Sequence, residues 1–96
     1  PFAEARYNEA LRKALERCKR YPRMAQRRGH QGVVQVEFVL RRDGKLLEVR
    51  IIEGSGRDTL DRAAKEALEC LQAPPFYPTM TGETRRYQLP IVFTLR

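Results

Sequence analysis

Apolar residues recur along the first twenty positions with the spacing of an α-helix. They fall at i, i+3, i+4, i+7, i+8 and i+11, so they share one helical face, and charged residues, mostly basic, lie between them. This pattern predicts an amphipathic helix over residues 1–20 with an apolar face of Tyr7, Ala10, Leu11, Ala14, Leu15 and Cys18. Pro22 suits the first turn of a short helix over 22–28, because its missing N–H has no partner there anyway. Gly29 suits the end of that helix.

From Val33 the apolar period changes to two, which is typical of a strand with one buried and one wetter face. Asp43-Gly44 follows and predicts a tight hairpin turn, because the central residues of such turns need positive φ. The hairpin should span 33–53. On its return strand, the apolar positions Leu47, Val49 and Ile51 alternate with charged ones.

The second half of the chain repeats both patterns. An apolar stripe predicts a helix over 58–72, with Asp58 as its N-cap and Asp61 in its first turn, where acids suit the helix dipole. Alternating apolar residues then predict a strand over 85–95. The apolar positions are Leu60, Ala63, Ala64, Ala67, Leu68 and Leu71 in the helix and Tyr87, Leu89, Ile91, Phe93 and Leu95 in the strand.

These elements predict one α+β domain over residues 1–96. Two amphipathic helices should pack on one face of a three-stranded antiparallel sheet and form a two-layer sandwich. Pro90 places the last strand at an edge, because proline cannot donate to a central ladder. No charged residue protects this edge from Leu89 to Leu95, although natural proteins usually guard such edges.

Charge is concentrated at the start of the chain. The 96 residues carry a net charge of +7, and residues 1–32 alone contribute +6. A basic surface of this kind can attract nucleic acid, anionic lipid, peptidoglycan or an acidic protein surface, or can be a solvated helix face. No apolar run approaches the roughly 20 residues of a membrane-spanning helix. Since the chain opens at Pro1, we expect a domain of a longer protein with any anchor upstream.

Nothing in the sequence predicts catalysis, a metal or a cofactor. Cys18 and Cys70 are the only cysteines and form no C-x-x-C pair, and His30 is the only histidine. The two cysteines are either small core residues in a reducing compartment or one disulfide in an oxidising one. The acids of the second helix are explained by capping and solvent exposure. We therefore expect a binding protein.

Short motifs along nearly the whole chain, from Tyr7 to Leu95, resemble the C-terminal domain family of TonB proteins. Each motif is weak alone, but their order and spacing together are specific. The motifs are Tyr21-Pro22, Ala25-Gln26, Gly32-Val33-Val34, Phe38, Asp43-Gly44, Ser55-Gly56, Leu60-Asp61, Ala64, Pro74-Pro75-Phe76-Tyr77-Pro78 and Pro90-Ile91-Val92-Phe93.

This resemblance implies a function. Members are tethered in the inner membrane by an N-terminal helix, act with a proton-channel complex there and cross the periplasm through a proline-rich linker. Their C-terminal domain binds the TonB box, a short extended segment of an outer-membrane receptor for siderophores, haem or cobalamin. The resemblance thus implies a periplasmic energy-transducing domain, and we expect its partner to be a receptor and not a nucleic acid.

The resemblance also implies which residues contact the receptor. Tyr21, Pro22 and Gln26 fall in the segment that contacts the receptor near its box. The family places an arginine directly before the alanine of this segment, whereas this chain has Met24 there. Arg23, one position earlier, and Arg27 or Arg28 are the basic residues that can take its place. The residues alone favour Tyr21-Pro22 as a corner between two helices, because proline is common at a helix start.

Strand addition to the last strand supplies the other candidate contacts. Main-chain groups alternate sides along a strand, so Pro90 shares one edge with the predicted contact residues Gln88, Val92 and Thr94. We expect this edge to face away from the sheet, because Pro90 has no N–H to give. Such an edge also allows a homodimer. In a periplasmic domain, Cys18 and Cys70 would form a disulfide.

Two alternative functions remain. One is a periplasmic scaffold domain of similar fold, as in TolA-like proteins, that binds partners without importing substrates. The other is a nucleic-acid-binding domain that uses its basic helices, although the strands lack the interleaved basic and aromatic residues of RNA-binding sheets.

Overall fold

A computed structural model describes residues 2–95 of the chain, so the predicted limits at Pro1 and Arg96 lie outside the described residues. It contains three helices and three strands in the predicted order. They are α1 (Phe2–Cys18), α2 (Arg23–Arg27), β1 (Gly32–Arg41), β2 (Leu46–Glu53), α3 (Asp58–Cys70) and β3 (Thr84–Phe93).

The three strands form one antiparallel sheet in the order β2-β1-β3. The first strand of the hairpin is therefore central, and β3 is an edge strand. This confirms the predicted α+β architecture with the last strand at an edge. Among residues 2–95, no helix is long and apolar enough to cross a membrane.

The core lies between the sheet and the two long helices. The apolar stripe of α3 is buried throughout, as are the central residues of the α1 stripe. Tyr7 is fully buried, and its ring packs edge-on against Phe76 and Tyr77 of the proline-rich loop after α3. Its hydroxyl donates to the carbonyl of Pro74 at 2.7 Å. The loop thus closes one end of the core.

The ends of the elements differ from the prediction by at most two residues, for local reasons. α1 ends at Cys18 instead of residue 20, because the chain must turn before Pro22, which disfavours helix at Tyr21. Pro22 itself is extended and stands before α2. β3 ends at Phe93 instead of residue 95, because Phe93 pairs with Gly32, the first residue of β1.

Two details of the prediction are wrong. Asp58 is the first residue of α3 instead of its cap, and the capping position, Arg57, makes no side-chain cap bond. Asp61 instead accepts hydrogen bonds from the N–H and hydroxyl of Ser55, both at 2.8 Å. Leu47 does not share a face with Val49, because a bulge in the β1–β2 pairing leaves it 44% exposed.

The predicted turn at Asp43-Gly44 depends on glycine. Gly44 has a φ of 92°, and a side-chain carbon there would lie 2.4 Å from the carbonyl oxygen of Ala73. The Asp43 carboxylate accepts a hydrogen bond from the N–H of Lys45 at 3.1 Å. The hairpin tip is therefore packed against the chain that leaves α3.

Candidate functional site

The outer edge of β3 is the first part of the candidate site. β3 pairs with β1 in an unbroken register, and β2 lies on the far side of β1. At one end, the N–H of Leu95 donates to the Gln31 side chain on the β1 side, at 2.7 Å. At the other end, Glu83 accepts a hydrogen bond from the N–H of Arg42, at 2.8 Å. The odd-numbered residues therefore direct their main-chain groups towards β1.

The even-numbered residues of β3 face the other way. The carbonyl of Val92 accepts a hydrogen bond from Nζ of Lys19, which lies just beyond α1, at 2.7 Å. The main-chain groups of Pro90 and Gln88 point to the same side as those of Val92, because the β1–β3 register has no bulge. The outer edge therefore presents the N–H and C=O groups of Gln88 and Val92 and the C=O of Pro90. Thr94, a predicted contact, lies one residue past the end of β3 and is exposed.

A small groove runs along this edge, between β3 and α1. Its floor is apolar, since Leu15 and Ile91 are buried. Its rim is charged. The lining residues are Arg12, Leu15, Glu16, Lys19, Leu89, Pro90 and Ile91. An extended segment added to β3 would direct alternate side chains into this groove, because side chains alternate faces along a strand.

The Tyr21–Arg27 segment forms the second part of the site. The Tyr21 ring packs edge-on against Phe93, the last residue of β3, with centroids 5.4 Å apart. The Tyr21 hydroxyl donates to the carbonyl of His30. Tyr21 and Pro22 therefore form a structural corner. That corner also places α2 beside the end of β3.

The remaining predicted contacts in this segment are exposed. Arg23, Gln26 and Arg27 lie on α2 with their side chains in solvent, and Met24 is 49% exposed. Arg23 follows Tyr21 by two residues, and Tyr21 packs against Phe93, the neighbour of Val92. Gln88 lies four residues earlier on β3, roughly 13 Å from Val92 at the usual strand rise. The predicted contacts therefore extend from the start of α2 along the edge to Gln88 in the middle of β3.

The end of the molecule around α2 is strongly basic. From Arg17 to Val36 the chain contains no acidic residue. The pKa of His30 is lowered by its burial and then by the nearby positive charges of Arg57 and Arg28. Arg57 thus adds positive charge to this end from another part of the chain. A partner that docks here meets positive charge.

Cys18 and Cys70 form a disulfide between the last residues of α1 and α3, with their Cα atoms 5.8 Å apart. It joins the ends of the two helices next to the candidate site. Lys19 follows Cys18 directly, so the cross-link also fixes the point from which Lys19 reaches β3.

The open face of the sheet carries a polar network that lies away from the outer edge. Glu37, at the centre of β1, is only 6% exposed. Its carboxylate accepts hydrogen bonds from Gln88 at 2.8 Å, Arg50 at 2.9 Å and Arg86 at 3.1 Å. These bonds, first that of Gln88 and then that of Arg50, lower the pKa of Glu37. The Gln88 side chain is thus engaged within the sheet, and its main chain is what the edge offers.

The arrangement suits binding more than chemistry. It combines outward-facing main-chain groups, an apolar groove and positive charge, which together can hold an extended acidic or neutral segment. Among residues 2–95, no three histidine, cysteine or acidic side chains lie close enough to hold a metal ion.

Sequence reasoning missed Lys19 and the groove. Lys19 appeared only as one of many basic residues, and its contact with Val92 joins positions 73 apart. The sequence also does not predict that Glu37 is buried under Arg50 and Arg86. No local pattern signals contacts of this kind, because they depend on strand register.

Comparison with known proteins agrees with the resemblance. Residues 17–95 match the family described as Gram-negative bacterial TonB protein C-terminal. The chain is 36% identical to Protein TonB of Pasteurella multocida over 89 residues, which cover 93% of this chain and 34% of that protein. It is 35% identical to Protein TonB of Helicobacter pylori strain J99 over 92 residues, which cover 93% of this chain and 32% of that protein. The chain thus spans about a third of the length of these relatives.

A solved structure shows the same fold. The chain is similar to the solution structure of the C-terminal domain of Helicobacter pylori TonB, with a TM-score of 0.80 and 29% identity. The match covers 95% of this chain and 82% of that one. On the evidence of sequence and fold together, this chain belongs to the TonB C-terminal domain family.

Proposed function

We propose that this domain is the receptor-binding part of a TonB energy transducer. It works in the periplasm and binds the TonB box of an outer-membrane receptor by strand addition to the outer edge of β3. Segments upstream of the domain anchor the protein in the inner membrane and connect it to a proton-channel complex. The receptor imports siderophores, haem or cobalamin.

The observation that carries the proposal is the outward-facing edge of β3 beside the Tyr21–Arg27 segment. An added strand gains affinity from main-chain hydrogen bonds and specificity from pockets for alternate side chains. The edge offers main-chain hydrogen bonds through Gln88 and Val92, and the groove along α1 offers a pocket for alternate side chains.

Two further features support the proposal. The Cys18–Cys70 disulfide suits an oxidising compartment such as the periplasm. Arg23 and Arg27 follow Tyr21, whose ring packs on Phe93 at the end of β3, so this basic segment can contact the receptor surface that surrounds the box. Such charges mainly raise the rate of encounter.

Proline substitution tests the edge directly. Val92→Pro removes an N–H that faces outward, so we expect the domain to stay folded and to bind a synthetic TonB-box peptide at least roughly tenfold more weakly, the effect of about one lost hydrogen bond. Phe93→Pro removes an inward bond and a fully buried ring, so it should unfold the domain. Thr94→Pro tests whether the added ladder continues past the end of β3.

Isothermal titration calorimetry gives the affinities, and circular dichroism gives the melting temperatures. A folded Val92→Pro variant that binds the peptide as tightly as the unmodified domain would contradict strand addition at this edge.

A further inference from the structure

Lys19 lies across the outer edge of β3. Its Nζ donates to the carbonyl of Val92 at 2.7 Å, lies 2.9 Å from a carboxylate oxygen of Glu16, and sits 5.7 Å from the centre of the Phe93 ring. The Lys19 side chain is only 21% exposed, whereas that of Glu16 is 62% exposed. The ammonium group is thus held against the strand from several sides.

This contact occupies an acceptor that an added strand would use. A strand that pairs with β3 must donate an N–H to the Val92 carbonyl, so it must first displace Nζ. The rest of the edge, from Leu89 to Leu95, carries no charge. Lysine side chains are a common means by which proteins prevent edge strands from pairing with one another.

We propose that Lys19 is a specificity-determining residue, which excludes a second copy of this chain from β3 while still admitting a receptor segment. This inference rests on the proposed strand addition. In a symmetric β3–β3 pair every contact occurs twice, so two lysines must be displaced. A receptor segment displaces only one. Self-pairing therefore loses two Lys19–Val92 hydrogen bonds, and it also places two ammonium groups along the same new ladder.

The Glu16 carboxylate makes the single displacement tolerable. Glu16 lies three residues before Lys19 and already contacts its ammonium, so Lys19 can leave Val92 and keep an ionic partner. In a self-pair each lysine also keeps the Glu16 of its own chain, but two Lys19–Val92 hydrogen bonds are lost there, whereas a receptor segment breaks only one.

The test compares Lys19→Met with Lys13→Met. Lys13 carries the same charge on the exposed side of α1 and does not line the groove, so Lys13→Met controls for the loss of one positive charge. Losing one charge-assisted hydrogen bond changes an affinity by roughly tenfold. Lys19→Met should therefore strengthen self-association about a hundredfold and binding of a TonB-box peptide about tenfold, relative to Lys13→Met.

Sedimentation equilibrium measures self-association, and calorimetry measures peptide binding. If Lys19→Met and Lys13→Met self-associate equally, the inference is wrong. It is also wrong if Lys19→Met weakens peptide binding, because Lys19 would then be a contact for the peptide. Should Met alter the fold, Lys19→Gln provides the same comparison without the ammonium.

The two proposals fail in different ways. If neither the unmodified domain nor any variant binds the peptide, strand addition by a receptor segment is wrong. The comparison of self-association still decides whether Lys19 guards the edge.

Discussion

Removal of the Cys18–Cys70 disulfide should destabilise the domain strongly. The two cysteines are 52 positions apart, so the cross-link closes a long loop that includes the hairpin and most of α3. In the chain-entropy account, a loop of this length restricts the unfolded state by about 4 kcal/mol at 25 °C. The buried faces of α1 and α3 remain in place without the bond, so we expect the loss to arise mainly in the unfolded chain.

Urea unfolding of a Cys18→Ser/Cys70→Ser variant measures this loss. With an m-value of roughly 1–2 kcal/mol/M, the unfolding midpoint should fall by roughly 2–4 M. The unmodified domain after full reduction is the matched control and should behave like the double variant. Small domains are stable by only about 5–15 kcal/mol, so the reduced forms should be close to unfolding at 37 °C.

Two results would refute this reasoning. One is an unchanged midpoint in the double variant. The other is the detection of two free thiols when the unreduced domain, isolated from an oxidising compartment, is denatured and titrated with a thiol reagent.

Three further outcomes follow from the structure. Burial raises the pKa of Tyr7 to about 12 from its ordinary value of 10. The stability that the protonated Tyr7 contributes should therefore be complete below pH 10 and be lost between pH 10 and 12. Over this pH range, the urea midpoint of Tyr7→Phe should fall less steeply than that of the unmodified domain. Gly44→Ala should destabilise the domain by about 2–4 kcal/mol in urea unfolding. Gly56→Ala has a similar positive φ but open space around it, so it should cost clearly less. Charge reversal at Arg27 and Arg28 should slow association with a receptor and reduce the salt dependence of the association rate, while the dissociation rate changes little. Surface plasmon resonance measures both rates. An effect confined to the dissociation rate would contradict the idea that these arginines speed the encounter with the receptor.

The fold could be predicted because each element carries a clear apolar period. The stripes of α1 and α3 and the alternation around Phe38 specify which faces are buried, and Pro90 places its strand at the edge. The bulge at Leu47 could not be predicted in this way. A bulge depends on how two strands pair, and the apolar alternation along one strand does not show how that strand pairs with its neighbour.

The candidate site was only partly predictable. The Tyr21–Arg27 segment was found through family resemblance, and the phase of the outer edge was found from Pro90. The role of Lys19 could not be found, because its bond to Val92 depends on the way α1 ends and on the position of β3 in the sheet. The hydrogen-bond partners of Glu37 could not be predicted for the same reason, because all three come from two other strands.

Amide hydrogen exchange followed by nuclear magnetic resonance is the most direct test of strand addition to β3. The N–H groups of Gln88 and Val92 face outward, and those of Leu89 and Ile91 face β1. A saturating TonB-box peptide should therefore slow exchange at Gln88 and Val92 and leave Leu89 and Ile91, already protected by the sheet, nearly unchanged. Protection confined to α2, or new protection along β3 without this alternation, would contradict the account.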